Sequence, residues 1–214
     1  MTNQLKDNVA SINKLKIYII DDCKTRREAI IDYFESVQRL LDGEKYDEKK
    51  DFPNCQVCFE NKGISKVEYQ EILPDEREAD NSYYTFAKNA PWVIEIGKIL
   101  KQKEARIFLI DLALSEAEVE AFSAGDGTFM ASTAKDILAY IDEKTQQKEY
   151  VIFESIARNL VEGINAILDI PQGEYFNQIQ YDTLLGGYFQ AHSPVDEKVE
   201  AISDAFMKAL EGIE

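Results

Sequence analysis

The sequence contains little of several residue types, and each scarcity argues against a class of protein. It has one histidine, His192, and three cysteines, which are too few for a disulfide framework or an ordinary zinc site. Cys55 and Cys58 form a C-x-x-C pair, but no second cysteine pair follows. We therefore interpret them as reduced thiols in or beside a strand.

Positive charge is also scarce, since 24 Lys and Arg residues stand against 40 Asp and Glu residues, a formal net charge of −16. So acidic a chain would be repelled by phosphate backbones and anionic lipids, which argues against nucleic acid and membranes as partners. The sequence has neither a run of roughly 18 apolar residues that could span a membrane nor a signal peptide. We expect a cytoplasmic protein.

What is present is ordinary globular composition, with 45% hydrophobic and 30% charged residues in 214 positions. At roughly 100–200 residues per domain, this length predicts a single domain over residues 1–214.

Three apolar runs are typical of strands that are buried on both faces of a parallel sheet. They are LKIYII (15–20), ARIFLI (105–110) and YVIF (150–153), with QVCFE (56–60) as a weaker fourth. Helical patterns alternate with them over about 25–41, 91–100, 132–146, 156–168 and 194–213. The alternation predicts an α/β, doubly wound parallel sheet. Three stretches do not fit it and are interpreted as insertions, at about 63–90, 115–130 and 170–186.

Acidic residues follow two of the apolar runs. Asp21 and Asp22 come after the first run, and Asp111 comes after the second. Ligands of open α/β sheets bind beyond the carboxyl ends of the strands, so neighbouring strands would bring these three carboxylates together. Such a cluster is costly without a hard cation such as Mg²⁺, and a carboxylate beside Mg²⁺ can attack a phosphoryl group. The alternative for Asp22, as for Ser155 after the third run, is a helix cap.

Four segments together resemble the receiver domain of bacterial two-component response regulators. In chain order they are LKIYIIDDCKTRREAI, RIFLIDLAL, TAKDILAYIDEKTQQKEYVIFESIA and GYFQAHSPVDEKVEAISDAF. The resemblance implies a flavodoxin-like fold in which GYFQAHS includes the fifth strand. It implies Asp111 as the phosphoacceptor and Ser155 as the switch hydroxyl. It also implies that Asp21, Asp22, Asp111 and the backbone carbonyl of Ala113 hold Mg²⁺.

The chain departs from the receiver pattern in two places. More residues separate Asp22 from Asp111 than in the family, and segment 115–130 is expected to lie over the acceptor. The family's lysine, which precedes a proline, is missing before Pro194, where His192 or Ser193 would have to replace it. Neither gives an anion the stabilisation that an ammonium group gives.

Three functions remain open at this point. The first is an atypical receiver that is phosphorylated on Asp111 and acts on a protein partner, such as a histidine kinase, a downstream regulator or a second copy of the chain. The second is a pseudo-receiver, which uses the fold for interaction without phosphotransfer. The third is a Mg²⁺-dependent phosphohydrolase. It is disfavoured because Ala113 stands where dehalogenase-like phosphatases have a second acid.

Overall fold

The computed structural model describes residues 13–73, 86–114, 116–124, 130–155, 162, 164, 178–190 and 196–213. The strands are β1 (Lys14–Ile20), β2 (Lys66–Glu71), β3 (Arg106–Asp111), β4 (Glu149–Ser155) and β5 (Ile179–Leu185). The helices are α1 (Lys24–Leu41), α2 (Val57–Asn61), α3 (Pro91–Ile99), α4 (Glu116–Ser123), α5 (Ser132–Lys144) and α6 (Asp196–Gly212), with a 3₁₀ turn at Gly186–Gln190.

All five strands are parallel and lie in the order β2-β1-β3-β4-β5. The strand order reverses between β1 and β3, since the chain steps outward from β1 to β2 and then returns to the other side of β1. This is the flavodoxin-like order of a doubly wound sheet, so the predicted fold class is confirmed. In doubly wound sheets the ligand crevice forms where the strand order reverses, which here is at the carboxyl ends of β1 and β3.

The two faces of the sheet carry separate apolar cores. Ile17 and Ile19 of β1 face the core that contains α1 and α6, whereas Tyr18 and Ile20 face the core of α3 and α5. Alternate residues of a strand point to opposite faces, so a strand covered on both sides must be apolar throughout. The burial of every residue in β3 and β4 fits this requirement and explains why their sequences were recognisable.

The two edge strands were assigned wrongly from the sequence. QVCFE forms α2 and the turn before it, and the second strand is β2, inside the 63–90 stretch. The fifth strand is β5, inside the 170–186 stretch, while GYFQ belongs to the 3₁₀ turn. Strands at a sheet edge are only partly covered and keep polar side chains, so neither sequence shows a continuous apolar run.

The helices agree better with the sequence. Pro91 is the first residue of α3, and the 115–130 stretch contains the extra helix α4. The helix predicted over about 25–41 is α1, which begins one residue earlier at Lys24, with Cys23 before it. Most of the helix predicted over 156–168 lies outside the described residues. No helix in the part of the chain that the structure describes is both long and apolar enough to cross a membrane.

Candidate functional site

The carboxylates of Asp21, Asp22 and Asp111 meet at the crevice between β1 and β3. The two strands pair in register up to Ile20 and Ile110, which places the acidic residues that follow at the same level of the sheet. One carboxylate oxygen from each residue lies within 4.8 Å of the others, and all three residues are buried. The structure thus brings together the three carboxylates that the sequence predicted would meet.

The guanidinium group of Arg26 lies among these carboxylates. Its Nε donates to Asp21 Oδ2 at 2.8 Å, and its Nη2 donates to Asp21 Oδ1 at 3.0 Å. Nη2 also donates to Asp22 Oδ1 at 3.5 Å and to Asp111 Oδ2. One side chain therefore contacts all three acidic residues, and we call these four residues the acidic pocket.

Arg26 was not predicted from the sequence as a site residue. The first turn of α1 contains three basic residues and no acidic residue near its start, the reverse of what the helix dipole favours. That unfavourable placement was the available signal, because a basic residue there needs a nearby acidic partner. Asp21 and Asp22 precede the helix closely enough to supply it.

Glu154 is a fourth carboxyl group beside the pocket. It pairs in register with Asp111 across β3 and β4, and it is completely buried. No N–H or hydroxyl group of the described residues donates to its carboxyl oxygens, and its side-chain hydrogen-bond partner is the neighbouring carboxyl group of Asp21. Arg26 Nε lies 3.9 Å from Glu154 Oε1, beyond hydrogen-bond distance. The sequence analysis did not single out Glu154, although it precedes Ser155.

The site holds more negative charge than Arg26 can balance. Burial raises the pKa of Asp111 well above its ordinary value, and the charges of Asp21 and Asp22 raise it further against the opposing effect of Arg26. Burial also raises the pKa of Glu154, with added contributions from Asp21 and Asp111. Asp111 and Glu154 thus hold protons above the pH at which exposed carboxyl groups lose them.

Arg26 itself stays charged. Burial by itself would lower the pKa of its guanidinium group, but the hydrogen bond to Asp21 and the charge of Asp111 raise that pKa above its ordinary value. The pocket thus contains a permanent cation contributed by the chain.

Arg27, the next residue of α1, makes contacts of a different kind. Its Nη1 donates to the backbone carbonyl of Asp21 at 2.9 Å, and its Nε donates to Glu71 Oε2 at 2.6 Å. Arg27 thereby links the first turn of α1 to the ends of β1 and β2. The two consecutive arginines therefore have different roles: Arg26 contacts the three carboxylates of the acidic pocket, and Arg27 attaches the start of α1 to the sheet.

The remaining predicted site residues are placed as follows. The backbone N–H of Ala113 donates to Asp111 Oδ1 at 3.4 Å, whereas a metal contact of its carbonyl stays a prediction. Ser155 is buried at the end of β4, opposite Leu185 of β5, and its switch role stays a prediction.

His192 and Ser193 lie outside the described residues. Cys55 and Cys58 are buried free thiols next to or within α2, not at a strand.

The donor set fits a hard divalent cation such as Mg²⁺. All the side-chain donors are carboxylate oxygens, which Mg²⁺ prefers, and a single guanidinium faces four carboxyl groups. The raised pKa values of Asp111 and Glu154 indicate that one guanidinium does not compensate the charge that four ionised carboxyl groups would carry. Asp21, Asp22 and Asp111 are the residues that would hold the ion.

Comparison of the chain with protein-family models, curated proteins and solved structures gave no match. The functional interpretation therefore depends on the geometry of the acidic pocket.

Proposed function

We propose that this protein is an atypical receiver-like signalling module that accepts a phosphoryl group on Asp111 with Mg²⁺ and acts through contacts with other proteins. The observation that carries the proposal is the meeting of Asp21, Asp22 and Asp111 at the point where the strand order reverses. Ligands of doubly wound sheets bind at this point.

The residues take distinct roles in this proposal. A carboxylate oxygen of Asp111 attacks the phosphorus atom of a phosphodonor, such as a phosphohistidine, and the bond from phosphorus to the leaving group breaks. Mg²⁺, held by Asp21, Asp22, Asp111 and the carbonyl of Ala113, would offset negative charge on the phosphoryl oxygens. The hydroxyl of Ser155 would donate a hydrogen bond to the acyl phosphate that results.

The second candidate is a pseudo-receiver, and one observation favours it. Arg26 already contacts all three acidic residues, so the pocket is held together without any added ion. Asp111 is also only 2% exposed, which restricts the approach of a phosphodonor. In this alternative the same crevice is a structural centre, and the protein contacts need no phosphotransfer.

Phosphorylation is tested by incubating the protein with acetyl phosphate and Mg²⁺ and measuring the mass of the intact chain. We expect addition of one phosphoryl group, which Asp111→Asn abolishes. The matched control is Asp32→Asn, on the exposed side of α1, which should be labelled like the natural protein. Label that persists in Asp111→Asn would refute the acceptor assignment. Absence of label at millimolar Mg²⁺ would favour the pseudo-receiver, and steady release of phosphate from small phosphomonoesters would favour a phosphohydrolase.

A further inference from the structure

We infer that Arg26 is a tethered counter-ion with two positions: it occupies the place of a divalent cation in the acidic pocket, and it moves towards Glu154 when such a cation binds. The biological meaning of this inference rests on the proposed function, but the inference itself concerns cation binding alone.

The first position of Arg26 is the observed one, in which its Nη2 atom contacts Asp22 and Asp111. This single nitrogen donates to Asp22 Oδ1 and to Asp111 Oδ2, which belong to two of the three residues that could ligate a metal. A divalent ion bound to both residues would draw on the same two carboxylates. Guanidinium and metal therefore compete for Asp22 and Asp111, and each cation lowers the affinity of the pocket for the other.

The second position is provided by Glu154. Arg26 Nε is 3.9 Å from Glu154 Oε1, so a small rotation of the side chain would bring the two groups within hydrogen-bond distance. Both oxygens of Glu154 are buried and receive no N–H donor from the described residues. The neighbouring carboxyl group of Asp21 can share a proton with Glu154 but cannot neutralise a second negative charge, and a buried carboxylate without a donor is expensive. A guanidinium that gives up Asp22 and Asp111 would satisfy this group when the single N–H of Nε turns from Asp21 Oδ2 to Glu154, while Nη2 keeps its contact with Asp21 Oδ1.

The charge balance permits this exchange. Asp21, Asp22, Asp111 and Glu154 supply up to four negative charges, and Arg26 supplies one positive charge. A divalent ion can thus enter without expelling the arginine into solvent. We expect the pocket to hold both cations, with the metal on Asp22, Asp111 and one oxygen of Asp21, and the guanidinium on Glu154 and the other oxygen of Asp21.

Direct titration with Mn²⁺, followed by the electron paramagnetic resonance of the free ion and without any phosphodonor, tests the competition. Arg26→Gln removes the competing charge, and we expect it to bind Mn²⁺ at least about tenfold more tightly than the natural protein. The matched control is Lys24→Gln, which removes an equal charge from the same turn of α1 at an exposed side chain that pairs with Glu28 at 3.9 Å. Its affinity should stay close to that of the natural protein. Glu154→Gln removes the second position of Arg26 and should weaken Mn²⁺ binding.

If Arg26→Gln does not fold, the movement of Arg26 can still be tested in the natural protein by nuclear magnetic resonance. In a ¹⁵N-labelled sample, the Nε–H resonance of Arg26 should shift on addition of diamagnetic Mg²⁺, while that of Arg27 should change little. An Arg26 resonance that stays in place while Mg²⁺ binds would overturn the inference. So would an Arg26→Gln affinity equal to or below that of the natural protein, or an absence of divalent binding in every variant. Because no phosphodonor is present, these outcomes are independent of whether Asp111 is phosphorylated.

Discussion

Glu154 occupies the space in which a side chain at position 186 would begin. A Cβ atom placed on Gly186 would lie 2.0 Å from Glu154 Oε2, far inside van der Waals contact. Gly186 follows β5 directly, so the absence of a side chain there gives the buried carboxyl group of Glu154 the room it needs beside the acidic pocket.

Gly186→Ala should therefore destabilise the protein through Glu154. We expect the free energy of unfolding to fall by about 1–3 kcal/mol, as for other insertions into packed sites. Urea denaturation of four proteins measures the effect: the natural protein, Gly186→Ala, Glu154→Ala and the double variant. In the Glu154→Ala background the cost of Gly186→Ala should largely disappear. An equal cost in both backgrounds would mean that another contact is responsible.

Removal of Arg26 should be far more damaging than removal of an exposed basic residue on the same helix. Arg26→Met leaves buried carboxylates without their counter-ion, and we expect a loss of about 3–5 kcal/mol near neutral pH. Lys24→Met breaks only the exposed pair with Glu28, 3.9 Å apart, and should cost about 0–1 kcal/mol. Denaturant unfolding at pH 7.5 compares them. A loss for Arg26→Met no larger than that for Lys24→Met would show that the pocket does not depend on the guanidinium.

The pH dependence of stability should reveal the protons held by the pocket. Asp111 and Glu154 have a pKa raised by burial, so the native state binds protons that the unfolded chain has released. Their contribution to stability is fully present below the unfolded carboxyl pKa of about 4, and it is lost as the pH rises through their folded pKa. Asp111→Asn removes one of these two titrations.

We therefore expect the stability of Asp111→Asn relative to the natural protein to increase as the pH rises from 5 to 8. The difference between the two proteins is the quantity to measure, by urea denaturation at a series of pH values, because the large net charge affects both alike. Millimolar Mg²⁺ should reduce the pH dependence of the natural protein. A difference that is constant with pH would contradict the raised pKa of Asp111.

The cysteines should differ sharply in reactivity. Burial raises the pKa of Cys55 to about 11 and that of Cys58 to about 12, so neither forms an appreciable amount of thiolate at pH 8. Cys23 is partly exposed at the start of α1. Labelling of the folded protein with a thiol reagent should thus modify Cys23 alone, and unfolding in urea should expose all three. Rapid labelling of Cys55 or Cys58 in the folded state would show that α2 opens readily.

The sequence predicted those strands that can be recognised from a few consecutive residues. β1, β3 and β4 are covered on both faces, and this alone makes their sequences continuously apolar. Asp21, Asp22 and Asp111 could be found because each follows such a strand. β2 and β5 could not, because an edge strand has the mixed composition of a loop.

Arg26 and Glu154 were missed for a different reason. Glu154 has an ordinary local setting at the end of a strand, and the unfavourable placement of Arg26 in the first turn of a helix points only to the adjacent Asp21 and Asp22. Their importance arises only when distant segments meet: Arg26 reaches Asp111 across 85 positions of the chain. The sequence had suggested His192 or Ser193, both outside the described residues, as a group that could face an anion here, whereas the cation that contacts the three carboxylates is Arg26 of α1.

The anchoring of Arg27 limits what the neighbouring arginine can do. Because Arg27 is hydrogen-bonded to the carbonyl of Asp21 and to Glu71, the first helical turn is fastened to the sheet. A swing of Arg26 would then involve torsions of one side chain and leave the main chain where it is. A protein that binds beside the acidic pocket would then meet an electrostatic potential that depends on the position of Arg26, on a surface whose backbone shape does not change.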